Sequence, residues 1–336
     1  MAAIKIFVSA TDKLAFVGDL HFDISVSSRL DDYMTTCCRK LEAVGNICQQ
    51  ESARYIFFSG DIFHRINCPH ECVNRLGNVL LALQRKGFRL FSICGNHDIP
   101  RDSLKNLEQS PIETLFLGLL EHISLATPVE IYKSYQDNSA ISSAKVTACD
   151  YTQSVLPADN KFDVNILLAH MFFDKPSFLG GDDQNITKDF METLGYDMAF
   201  LGHDHEEYDP VVCGKTMVVR SGSLLRGTVH DYNFSREPGF VIVDDIFNPH
   251  SVRKVIIPHR PYQDIISQVA LNRKAVNVSE TDNINRDALR DLADKLANAK
   301  CNNEPEKDVI LKAIEEDKHI PHSCRRILLD YIHKTG

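Results

Sequence analysis

The chain has 336 residues, 43% hydrophobic and 25% charged, the composition of an ordinary globular protein with room for one large domain and a smaller one. No apolar run reaches the ~18 residues of a transmembrane helix, and the opening Met1-Ala-Ala-Ile-Lys-Ile-Phe-Val reads as a strand, not a signal peptide. A net charge of −9 argues against strong unaided binding to nucleic acid, which rests on neutralising phosphates; bound cations, a local basic surface or a partner would have to compensate.

After the opening strand, Leu14-Ala-Phe-Val17 ends in Gly18-Asp19-Leu20-His21. Leu30, Tyr33, Met34, Cys37, Leu41, Val44, Ile47 and Cys48 then recur at helical spacing and predict one long amphipathic helix. Tyr55-Ile-Phe-Phe58 has the length and composition of a buried strand and leads into Ser59-Gly60-Asp61-Ile62-Phe63-His64. Val73, Leu76, Val79, Leu80 and Leu83 mark a second helix, stopped at Lys86-Gly87, and the strand Phe88 to Cys94 runs into Gly95-Asn96-His97-Asp98. This alternation predicts βαβ units and a largely parallel sheet. A helical stripe from Leu104 to Leu120 is interrupted at Pro111.

From about residue 123 short strands take over: Val129 to Tyr132, Ile141 to Cys149, and Val164 to Ala169, which ends at His170. A polar loop, Asp174 to Asn185, precedes a short helix from Thr187 to Leu194. Met198 to Leu201 then delivers Gly202-His203-Asp204-His205, and Met217 to Val219, Gly239 to Val243 and Val252 to Ile257 read as further strands. Pro258-His259-Arg260-Pro261 marks a domain boundary, giving domains 1–258 and 259–336, and the second carries charged helices at 285–299, 306–316 and 324–333. Ten cysteines without framework spacing point to a reducing cytoplasm. Cys37, Cys38, Cys48 and Cys94 fall in apolar patterns as core thiols; Cys68-Pro-His70-Glu-Cys72 resembles half of a zinc clip but has no second half nearby.

Five of these stretches carry Asp, Asn or His at the exit of an apolar strand, where open α/β sheets bind ligands. Those side chains suit borderline-hard divalent cations. Two ions about 3.5–4 Å apart need ligands from several loops.

In these five blocks, in this order, residues 14 to 244 resemble the calcineurin-like metallophosphoesterase superfamily. The resemblance implies an α/β fold, a four-layer β-sandwich flanked by helices, with a small C-terminal α-rich cap. It implies one metal held by Asp19, His21, Asp61 and His205 and a second held by Asp61, Asn96, His170 and His203, with Asp61 bridging. His97 would face the substrate and help stabilise or protonate the leaving oxygen, and Asp98 would orient its ring. The metals would be manganese, with iron, zinc or magnesium as alternatives.

Phe22 after the first block, Ile62-Phe63-His64-Arg65 after the second and Asp98 in the third depart from the serine/threonine phosphatase pattern. Gly60-Asp61-Ile62-Phe63-His64 is instead similar to SbcD-type DNA repair nucleases, in which the extra histidine, here His64, contacts the substrate phosphate. Ser221-Gly222-Ser223, where that group has Pro-Gly-Ser, and Pro238-Gly-Phe-Val-Ile-Val follow in the same order. The length is closer to a bacteriophage-encoded version. This resemblance implies 3′-to-5′ exonuclease and endonuclease activity on DNA, a homodimer and an SbcC-type SMC-like ATPase partner; the Leu104 to Leu120 stripe is the candidate dimer contact, though core packing explains it equally. Arg65, Arg101, Arg220 and Arg226 are candidate phosphate contacts, each equally readable as structural. A small-molecule phosphodiesterase or nucleotidase, its pocket built from Tyr151 to Asn185, and a metal-free scaffold of the same fold are the rival readings.

Overall fold

A computed structural model describes residues 3–134, 141–175, 185–267 and 270–271. The helices expected at 285–299, 306–316 and 324–333, and most of the polar 174–185 loop, lie outside the described residues. Residues Met1–Ser267 form one compact unit.

The first two strands, β1 (Ile4–Val8) and β2 (Leu14–Val17), enter different sheets. α1 (Tyr33–Gln50) follows, then β3 (Tyr55–Phe58), α2 (His70–Arg85), β4 (Arg89–Ser92), α3 (Pro111–Phe116) and β5 (Glu121–His122). β2, β3, β4 and β5 lie parallel, the order expected of βαβ units. The second half adds β6 (Val129–Ser134), β7 (Ile141–Cys149), β8 (Val164–His170), the short pair β9 (Phe172–Phe173) and β10 (Asn185–Ile186), α4 (Lys188–Leu194) and β11 (Met198–Gly202). β12 (Tyr208–Cys213), β13 (Thr216–Arg220), α5 (Tyr232–Ser235), β14 (Gly239–Val243) and β15 (Val252–Ile256) complete it. One sheet has the order β15-β14-β2-β3-β4-β5 and the other β1-β6-β7-β8-β11-β13-β12.

Alternation along each strand sorts the side chains into three apolar layers. Phe16, Phe57 and Phe91 of one sheet meet Ile131, Val146, Ile166, Leu168 and Phe200 of the other. Phe16 stacks on Phe200 at 3.7 Å between ring centres and on Phe57 at 5.1 Å, and Phe57 on Phe91 at 4.7 Å. The outer face of the six-stranded sheet (Ala15, Val17, Ile56, Phe58, Leu90) packs against Leu41, Val44, Leu76 and Leu80 of α1 and α2. The outer face of the other sheet (Leu167, Ala169, Ala199, Leu201) packs against Met191 and Leu194 of α4. Helix, sheet, sheet, helix is the four-layer α/β sandwich anticipated from the sequence. Because Phe57 is fully buried between the sheets, Phe57→Ala is expected to cost about 3–5 kcal/mol in denaturant unfolding.

Local chemistry moved several boundaries. α1 begins at Tyr33, not Leu30, because Asp32 caps it by accepting the amide of Thr35 at 3.0 Å, and Leu30 is left exposed. The Leu104 to Leu120 stripe divides into a 3₁₀ segment, Leu104–Gln109, and α3, with Pro111 at the first turn where its missing amide proton costs nothing. The antiparallel partner of β13, β12, was not anticipated: its Tyr-Asp-Pro-Val-Val-Cys run is largely exposed, carries Pro210 and is interrupted by a bulge. Cys37, Cys38, Cys48 and Cys94 are buried free thiols, as expected. Among the described residues, Cys68, His70 and Cys72 do not gather into a metal-like group, and no helix is long and apolar enough to cross a membrane.

Candidate metal centre

Parallel pairing puts the C-terminal ends of β2, β3 and β4 along one edge of their sheet, and those of β8 and β11 along one edge of the other. The two edges are tied across the sandwich. Nδ1–H of His170 donates to the Ser59 carbonyl at 2.7 Å, and the amide of His203 donates to both oxygens of Asp19 at 3.1 and 3.2 Å. The amides of Leu20 and His21 both donate to the Asp61 carbonyl, at 3.1 and 2.8 Å, joining the β2 and β3 exit loops.

Ligand atoms of Asp19, His21, Asp61 and His205 lie within 4.8 Å of one another, as do those of Asp61, His170 and His203. Asn96 joins the second group through Oδ1, 3.1 Å from His170 Nε2. Asp61 belongs to both groups: its Oδ2 is 3.5 Å from His21 Nε2 and 3.4 Å from His170 Nε2. Its other oxygen accepts the amide of His97 at 2.9 Å. All seven residues expected as ligands therefore converge, in the two sets expected of them.

The backbone is bent to achieve this. His21, Asp61 and His203 all have positive φ, at 47°, 48° and 82°, which non-glycine residues adopt at a cost and which clusters at functional sites. At Gly95 the approach is so close that a Cβ would sit 2.1 Å from Asp61 Oδ1.

The donor chemistry fits cations. Burial holds His21 and His205 below the ordinary histidine range and His203 at about 3, so these rings are neutral with a lone pair to give. Burial also disfavours a charged His170, but Asp61 and Asp19 outweigh it and raise that ring to about 9, a measure of how strongly the two carboxylates attract positive charge. His203 Nε2 is buried without a hydrogen-bond partner, and His21 Nε2 and His205 Nε2 point at each other across 2.7 Å. Two carboxylates, an amide oxygen and four imidazoles match borderline-hard divalent ions, and a carboxylate shared between two donor sets defines a dimetal-type centre.

A family model for calcineurin-like phosphoesterases matches residues 13–207, more than half of the chain, and the chain belongs to that family. Membership implies a metal-dependent phosphoester hydrolase. Among curated proteins, none matches. Over 74% of its length the chain is similar in fold to the Plasmodium protein GAP50, described as the anchor in the inner membrane complex, with 12% identity, a TM-score of 0.42 and 89% of that chain covered. It is likewise similar, over 74% of its length, to a dimetal phosphatase from Danio rerio, with 10% identity, a TM-score of 0.43 and all of that chain covered.

Around the ligands, His97 and His64 stand side by side, rings 5.6 Å apart and 20° from parallel; the His21 ring lies 4.8 Å from that of His97 and 5.5 Å from that of His64. Burial lowers the His64 pKa, with His97 as the next cause. Asp98 was expected to orient the His97 ring, and here the geometry corrects the expectation. Its carboxylate accepts the amides of Gly95 at 3.0 Å and of Ile62 and Phe63 at 3.2 Å each, pinning the β3 and β4 exit loops together. The ring of His97 is instead held through Nδ1 by the carbonyl of His64, at 2.5 Å.

Of the candidate arginines, Arg65 is half exposed but ion-paired with buried Asp23 at 2.8 Å, and Arg101 is exposed with φ 54°. Arg220 is buried on the Tyr208 ring at 3.8 Å, and Arg226 is buried on backbone carbonyls. Of these two, Arg220 is structural. Sequence reasoning missed Asp150, which is fully buried and accepts the Cys94 amide at 2.7 Å, just ahead of the Gly95-Asn96-His97-Asp98 turn. It follows β7, whose Ile-Ser-Ser-Ala-Lys-Val-Thr-Ala-Cys run mixes polar and apolar residues, so the predominantly apolar strand that marked the other five blocks was absent there.

Proposed function

We propose that the chain is a two-metal DNA nuclease of SbcD type, a 3′-to-5′ exonuclease and endonuclease that works with manganese, as a homodimer and with an SbcC-type SMC-like ATPase. The observation that carries this reading is His64. Its ring stands beside His97, and its ligand atom lies within 4.8 Å of those of His21 and His97, so a histidine that two-metal hydrolysis does not require is nonetheless held at the centre.

Two divalent cations bound there would supply Lewis acidity, making a water nucleophilic and neutralising charge on the phosphoryl oxygens. The chain's own residues do the rest. The buried carboxylates of Asp19 and Asp61 draw cations into the site, and a phosphodiester would be admitted once those cations offset their charge. His64 donates from its ring to a non-bridging oxygen of the scissile phosphate. The water oxygen bonds to phosphorus as the bond from phosphorus to the leaving oxygen breaks; the water's proton passes to solvent, and the leaving oxygen takes its proton from Nε2 of His97, which solvent then restores. The Nδ1–H of His97 stays on the His64 carbonyl, which fixes the ring and couples the two histidines. The net charge of −9 makes the ATPase the principal holder of the DNA.

The test is hydrolysis of linear duplex DNA and of bis-p-nitrophenyl phosphate, with manganese and with chelator. Cleavage of both with manganese and of neither with chelator is expected, and His64→Ala should depress DNA cleavage by about 10²-fold, in the range of one lost contact to transition-state charge. Hydrolysis of the small diester with DNA left intact, even with an ATPase partner present, would overturn the nuclease reading in favour of a small-molecule phosphodiesterase.

A further inference from the structure

Away from the metal cluster, the described chain concentrates positive charge in one place. Arg29, Lys40 and Arg226, all buried, line a cavity of about 340 Å³ together with the exposed Arg39 and Arg260. Asp31 is the one carboxylate lining it, and Arg29 occupies both its oxygens, at 2.8 and 2.7 Å. In a chain of net charge −9, four arginines and a lysine around one cavity run against the average.

These cations are not all spoken for. The Lys40 ammonium makes a single contact, 3.3 Å to the carbonyl of Leu224, which leaves two of its protons without a described acceptor. Arg226 donates to the carbonyls of Asn233, Arg236 and Arg260, but its buried Nε has no partner. Arg39 makes no ion pair among the described residues. A buried cation is costly unless paired. Lys40 bears that cost visibly: burial, then the charges of Arg226, Arg236 and Arg29, bring its pKa down to about 7.

A tetrahedral oxyanion answers this arrangement, because it offers several acceptors to guanidinium forks and an ammonium at once. The cavity is within the roughly 300–1,000 Å³ range of small-ligand sites, and Ala43, Pro258 and Ile265 give it an apolar ledge for the rest of a ligand. We propose that this cavity binds a phosphate-bearing ligand of mononucleotide size, with Lys40, Arg39 and Arg226 holding the phosphate. The site shares no residue with the metal centre, although Leu224 reaches both: its carbonyl accepts Lys40 and its amide donates to the Asp19 carbonyl at 2.9 Å. The ligand is either a free nucleotide or the terminal phosphate of a nucleic acid strand.

Calorimetric titration of the full chain with inorganic pyrophosphate, in chelator, reads the site without the metal centre. One equivalent is expected to bind, with affinity falling about tenfold or more in Arg39→Ala and in Lys40→Met, the loss of one charge-assisted contact. Asp61→Asn should bind pyrophosphate as the parent does, which separates this site from the nuclease reading. Arg39 is exposed, so Arg39→Ala keeps the fold even if Lys40→Met does not, and pyrophosphate should raise the melting temperature of the parent but not of Arg39→Ala. Displacement by ATP identifies a free nucleotide as the source, and displacement by a 5′-phosphorylated oligonucleotide but not its 5′-hydroxyl form identifies a strand end. Absence of pyrophosphate binding, or binding undiminished in both variants, overturns the proposal.

Discussion

Asp61→Asn is expected to abolish metal retention and to lower phosphodiester hydrolysis by roughly 10³-fold, equivalent to about 4 kcal/mol of transition-state stabilisation. The substitution removes one charge and almost no volume. Asp61 Oδ2 lies 3.5 and 3.4 Å from ring nitrogens of the two donor sets, so no other residue can supply the shared anionic oxygen. Desolvation works against its charge, but the nearby His170 charge keeps its carboxyl well below the usual range. The fold should survive. Asn tolerates the left-handed φ of 48° at this position, and its amide oxygen still accepts the His97 amide. Elemental analysis beside hydrolysis of bis-p-nitrophenyl phosphate checks this, and two metals undisturbed in Asp61→Asn would sink the bridging assignment.

His97→Ala should separate binding from chemistry. The backbone amide that donates to Asp61 remains, and no ligand is lost, so both metals should be retained. Turnover should fall by about 10²–10⁴-fold, the usual worth of a positioned general acid. The loss should be smallest for substrates with a good leaving group, such as p-nitrophenolate, which needs little protonation. Loss of metal together with activity would instead make His97 part of the cation site.

Much of this centre was legible because its residues obey one rule. Asp19, His21, Asp61, Asn96, His170, His203 and His205 each follow a strand that is apolar on both faces, and parallel pairing brings such strand ends together. The pairing of β1 with β6 was not legible. Its Ile-Lys-Ile-Phe-Val run fits either sheet, and only the long-range partner decides. Nor was the work of Asp98 legible. A carboxylate next to a histidine reads as its orienting partner, but here three amides from two loops turn towards it. The basic cavity was illegible for the same reason: Arg29, Lys40, Arg226 and Arg260 are far apart in the chain, and the sequence carries no period that links them.

The central claim is that this cluster is a two-cation centre for phosphodiester hydrolysis. It is tested most directly by titrating chelator-stripped protein with manganese while following both bound metal and the cleavage of linear DNA. Two equivalents per chain, with DNA cleavage absent in the stripped protein and rising as the second site fills, is the expected result. Binding of fewer than two equivalents, or cleavage that persists without metal, would contradict it.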